Sequence, residues 1–273
     1  MADPPATRDL VLGAVVLVGL SRFVDGTAAW LVAVLLLLAV ALGALQVLAD
    51  SGPASASAAG IPIEHLIGPA TAAAAGLGAI RLVPLGVAVL PALLLVGWLM
   101  SRVLSTEARI LSSTGAPSAA ERTAVLVEAL VIGFLGFAGV AALVPGGLAE
   151  PSIGGVGVAL AGRDLAVLAI ADGVLAFLLG YRATALRTTS LREVLASALT
   201  YGAAVGIAAV ALRAMAVPRL AGPALLVVVF FLWDAIHGAP VGRRRDARRV
   251  WEILLLVVLG AIVVAWSVGL RDV

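Results

Sequence analysis

The sequence contains no cysteine, no lysine and no asparagine, and it has only two histidines. Without cysteine there is no disulfide framework, no thiol nucleophile and no thiolate metal site. Without lysine there is no Schiff base to retinal or pyridoxal phosphate and no Walker-type phosphate loop. Charge is also scarce: 12% of the residues, with a formal net of +2. The arginines sit mostly between apolar runs rather than on one basic face, which excludes a nucleic-acid surface. There is no G-x-S-x-G, no H-E-x-x-H and no paired-aspartate signature, so no motif marks acyl, phosphoryl or glycosyl transfer. No cofactor is implied.

What the chain has instead is apolar length. Of its 273 residues 62% are hydrophobic, and the mean hydropathy is +1.15. That much apolar surface does not fit inside a water-soluble core, and runs of about 20 apolar residues recur along nearly the whole chain. No stretch is polar enough to fold as a separate soluble domain. The expectation is an all-α, polytopic transmembrane bundle of eight or nine spans, with residues 1–273 forming a single integral-membrane domain.

The spans follow from apolar runs and their breakers. A short first segment over Leu10–Val24 reads as an uncleaved helix, although Thr27-Ala28-Ala29 also offers the small residues of a signal-peptide site. The following spans are expected at Thr27–Ala49, Pro62–Leu82, Leu85–Leu104, Arg122–Val144, Asp164–Thr184, Leu191–Met215, Leu220–Ile236 and Val250–Leu270. Residues Ser105–Ala120 read as a polar loop. Ser118 with Glu121, and Ser190 with Glu193, have the S-x-x-E spacing in which hydroxyl and carboxylate satisfy free amides at a helix start. The glycine-rich part of Pro145–Gly162 reads as a flexible loop, with a re-entrant element as the alternative.

Nine spans place twelve arginines on the side of the N-terminus, including Arg243, Arg244, Arg245, Arg248 and Arg249, and six on the other. The positive-inside rule then puts the N-terminus in the cytoplasm and the C-terminus outside, with a bacterial cytoplasmic membrane as the default. Trp30, Trp98, Trp233, Trp251 and Trp266 all fall near expected helix ends, where an indole prefers the interface. The five arginines of the last loop are suited to anionic lipid headgroups as well as to setting topology.

An internal repeat is also legible. Glu64, Leu66, Thr71 and Ala74 align with Glu193, Leu195, Thr200 and Ala203, and Val83-Pro84 and Pro91-Ala92-Leu93-Leu94 return as Val217-Pro218 and Pro223-Ala224-Leu225-Leu226. Residues 27–144 and 163–270 would then be two four-helix units in the same orientation, a parallel repeat preceded by one extra helix.

Ionisable groups at bilayer depth cost about 2.5–3.5 kcal/mol each on insertion scales and usually face protein or water. Asp172 and Glu128 are the deepest and are the candidate proton or cation sites. On the cytoplasmic side Glu64 and His65 open the third span, while Asp234 and His237 stand three apart near the end of the eighth. Their convergence would give a metal site or an acid/base pair. Against metal binding, adjacent Glu64 and His65 point about 100° apart, and Glu64 and His237 suit the dipoles of their helix ends. No metal is assigned. Glycines 133, 136, 139, 202 and 206 read as close helix contacts, and Thr71, Thr200 and Tyr201 as interhelical hydrogen-bonding groups or the lining of a polar path.

Three functional classes remain open. The leading one is a small-solute or ion transporter, proton-linked, with Asp172 and Glu128 as central carboxylates and a hydrated cavity reaching them. A non-catalytic membrane subunit, scaffold or sensor would lack a cavity and offer an apolar face to another membrane subunit. A membrane-embedded enzyme acting on a lipid-linked substrate would need Glu64, His65, Asp234 and His237 to converge.

Overall fold

A computed structural model describes residues 5–51, 60–113, 115–148, 160, 162–214, 217 and 220–237. Its regular elements are eight α-helices: α1 Pro5–Ser21, α2 Thr27–Ser51, α3 Glu64–Ala79, α4 Val89–Ser112, α5 Ala119–Leu143, α6 Gly162–Ala185, α7 Leu191–Ala214 and α8 Ala221–His237. A 3-10 turn at Ile80–Leu82 prolongs α3. There is no strand among the described residues. Five helices, α2 and α4 to α7, are long and apolar enough to cross a membrane. Together with the many exposed leucines and valines on their outer faces, they make this a multi-pass membrane protein whose outer surface suits lipid contact. The expected ninth span, the arginines at 243–249, most of the glycine-rich loop and Trp251 and Trp266 lie outside the described residues.

The helices pack as two rings of four. α1, α2, α3 and α4 contact one another in cyclic order, and so do α5, α6, α7 and α8; α3 joins the rings by lying against α5 and α6. This grouping is offset by one helix from the units 27–144 and 163–270, and the last helix of the second unit falls outside the described residues. The aligned positions are not equivalent in environment: Thr71 is buried while Thr200 is exposed.

In lipid, helices gain little from apolar burial against each other, so close association rests on small residues and interhelical hydrogen bonds. α3 shows this most clearly, because nearly every residue from Gly68 to Gly78 is buried. At its crossing with α5, a Cβ added at Gly78 would collide with the backbone of Gly139. In the second ring, a Cβ at Gly202 would lie 2.8 Å from the Gly173 carbonyl oxygen, which holds α6 and α7 in backbone contact.

Two expectations about local structure changed. The stretch expected as a polar loop from Ser105 is helical to Ser112, because the inward face of α4 continues: apolar Val103 and Ile110 and the hydrogen-bonded Thr106 and Glu107 are all buried. Trp98 consequently sits in the middle of α4 and not at its end. At α5 the capping box forms as expected. Ser118 Oγ accepts from the Glu121 amide at 3.2 Å and Glu121 Oε2 accepts from the Ser118 amide at 2.7 Å. At α7 the Glu193 carboxylate accepts instead from Thr188 Oγ1 at 2.7 Å.

Candidate functional site

Buried polar groups gather at two levels of the bundle. The first level is the end where α3, α5 and α7 begin and α4, α6 and α8 finish. Here Glu107 of α4, 1% exposed, is the hub. Its Oε1 accepts from Arg182 Nε at 2.8 Å and its Oε2 from Arg182 Nη2, a fork from α6. His65 Nδ1 of α3 donates to the same Oε2 at 2.8 Å. A carboxylate held by a guanidinium fork and an imidazole has its lone pairs well satisfied, which is the condition for retaining buried charge.

The neighbouring Thr106 donates to Glu128 Oε1 of α5 at 2.7 Å, and Arg102 Nε stands 3.8 Å from the same oxygen. At the same level in the second ring, Asp234 of α8 accepts from Tyr201 Oη of α7 at 2.7 Å and from Arg187 Nη2 at 2.8 Å. Burial alone would lower the Arg187 guanidinium, but the hydrogen bond and charge of Asp234 outweigh it and hold it above the ordinary arginine range. These contacts tie α3 to α8 into one layer of paired charges.

Asp172 belongs to a different setting. It lies ten residues into α6, a rise of about 15 Å from the start of that helix, at the level of the last turn of α7 and the first turn of α8. The residue is 1% exposed, and its Oδ1 has no hydrogen-bond partner among the described residues. A cavity of about 30 Å³ lies beside it inside the second ring, bounded also by Phe137, Leu168, Ala209, Arg213 and Leu226. Arg213, half-buried near the end of α7, is the other charged residue lining it among the described residues. No Asp172–Arg213 ion pair forms within 4.0 Å. The volume accommodates a water molecule, which needs about 10–15 Å³. Along the ring toward the paired layer, the positions between Asp172 and Asp234 are filled by buried Leu179, Val205, Leu226 and Phe230. The Phe230 and Tyr201 rings are 5.2 Å apart, which closes the core above Asp234.

The expected sites therefore separate. Glu64 is half-buried while the adjacent His65 turns inward to Glu107. Asp234 is taken by Arg187 and Tyr201. His237 is exposed, stacked on Trp233 at 4.3 Å with its Nδ1 donating to the Trp233 carbonyl. His65, Asp234 and His237 thus each contact different neighbours, and among the described residues no group of three or more His, Cys, Asp or Glu side chains is placed to hold a metal. Glu107 and Arg182 were missed as site residues. For Glu107 the signal was present, since Val103, Glu107 and Ile110 continue the i, i+4, i+7 stripe of α4. For Arg182 there was none, because its partner is 75 residues away in sequence.

Compared with known protein families, curated proteins and solved structures, the chain has no match in any of the three.

Proposed function

We propose that this protein is a small-solute or ion transporter, proton-linked, with Asp172 as its central carboxylate. One observation carries the reading. A carboxylate ten residues inside the apolar helix α6, 1% exposed, faces a cavity with an oxygen that no described residue satisfies. A buried unsatisfied polar group costs about 1–3 kcal/mol, and such a group at bilayer depth marks an ion or proton path by default. The second ring supplies the rest: the Asp172 cavity at one level, a packed apolar section, and the Asp234–Tyr201–Arg187 group at the other. Glu128 fits a supporting role, because Thr106 already occupies it. The orientation that goes with this reading places the paired layer at the cytoplasmic face of a bacterial cytoplasmic membrane.

The test is proton flux into sealed proteoliposomes that hold a pH-reporting dye, challenged in turn with monovalent cations and small organic solutes. Wild-type protein should acidify or alkalinise the lumen with at least one of them, and Asp172→Asn should abolish that response while reconstituting normally. An equal response from both proteins would exclude Asp172 as the coupling group.

A further inference from the structure

A second cavity, about 230 Å³, lies on the other side of the α5–α6 pair from Asp172. Four helices each contribute two turns to it, residues 30–37, 71–78, 136–143 and 171–178, so it is about 10 Å tall at 1.5 Å per residue. Among the described residues the lining is apolar apart from Thr71, and the Thr71 hydroxyl is turned away to the Ile67 and Gly68 carbonyls at 2.7 and 3.0 Å. Its floor is the crossing of α3 and α5, where Gly78 and Gly139 bring the two backbones together. Its mouth lies between α2 and α6, since the lining residues Val34 and Val174 are 56% and 52% exposed. Trp30 stands at the end nearest the start of α2.

We infer that this cleft binds one acyl chain of a bilayer phospholipid. Three features identify that occupant. The helices at its mouth are membrane spans, so the medium it opens onto is hydrocarbon and a polar solute has no partner inside. Its height of about 10 Å is about two-thirds of one leaflet of a hydrocarbon core of about 30 Å, and one end lies near the start of α2. Its volume exceeds the roughly 150 Å³ of an engineered cavity that holds benzene, and in proportion it takes a chain segment of about nine carbons. An empty space of this size would forfeit dispersion contacts along its whole lining, and a chain drawn from the adjoining leaflet restores them. The site differs from the Asp172 cavity and stands whether or not that cavity conducts protons.

Trp30 makes the inference measurable. Full-length protein retaining Trp30 alone, with Trp98, Trp233, Trp251 and Trp266 changed to Phe, is reconstituted in vesicles of phosphatidylcholine with brominated acyl chains. Bromine quenches indole fluorescence on contact. Quenching should be strong, and Ala33→Leu or Ala74→Leu, each filling the cleft, should reduce it at least twofold. A parallel protein retaining only Trp98, which is 64% exposed on α4, reports folding and ordinary lipid contact. Its quenching should be unchanged by the same substitutions. If the filling substitutions leave Trp30 quenching as it was, while Trp98 confirms the fold, the chain is not in the cleft and the inference fails. If Trp30 is not quenched at all, it fails likewise.

Discussion

Glu107 and Asp172 are both carboxylates with 1% of their surface exposed, and they differ in almost everything else. Glu107 lies five residues from the end of α4 and is gripped by an arginine fork and a histidine. Asp172 lies near the middle of α6 beside a cavity, with an oxygen that no described residue satisfies. The first arrangement offsets the cost of burial within the fold and joins three helices in doing so. The second leaves part of that cost standing, which folding alone gives no reason to retain. Burial of a charge therefore does not by itself indicate a site; the state of its partners does.

That contrast can be broken by substitution. The largest effect is expected from Glu107→Ala, which leaves Arg182 buried without its carboxylate and should lower unfolding stability in mixed micelles by about 3–5 kcal/mol. A loss under about 1 kcal/mol would mean that Glu107 is not a structural hub. Next is Tyr201→Phe. It removes one hydrogen bond to the charged Asp234 while Arg187 stays, and should cost about 2 kcal/mol by the same measurement. The smallest change has the opposite sign. Asp172→Leu removes an unsatisfied carboxylate and extends into the adjoining cavity, so stability should rise by about 1–2 kcal/mol. A destabilisation comparable to that of Glu107→Ala would show that Asp172 is held by contacts equivalent to those of Glu107 and would remove the distinction.

Much of the architecture was legible in the sequence because lipid imposes simple rules. Apolar runs gave the helices, Ser118 with Glu121 gave a true cap, and the glycines of α5 and α7 gave close crossings. Asp172 stood out for the same reason, as a charge with apolar neighbours on every side in sequence. The cyclic packing of the helices was not legible, since Ala/Leu/Val/Gly-rich helices carry little information about which neighbour each will choose. Glu107 was obscured by polar neighbours, Ser105, Arg109 and Ser112, that make the end of α4 look like a loop. Arg182 looked like one of several interfacial arginines, and only the fold brings it to α4. His65 reads in the sequence as a companion of Glu64, Asp234 and His237, whereas its hydrogen bond in the fold goes to Glu107 of α4, a pairing across 42 residues that no local pattern announces.

The most direct test of the contrast puts function and stability on the same preparations. Asp172→Asn and the conservative Glu107→Gln are reconstituted side by side, each checked for unfolding stability and then for dye-reported proton flux. The expected result is that Asp172→Asn keeps its stability within about 1 kcal/mol of the wild type and loses the flux, while Glu107→Gln loses stability and its folded fraction still conducts. Retained flux in Asp172→Asn, or equal loss of flux in folded Glu107→Gln, would contradict the assignment of Asp172 as the working carboxylate and Glu107 as the structural one.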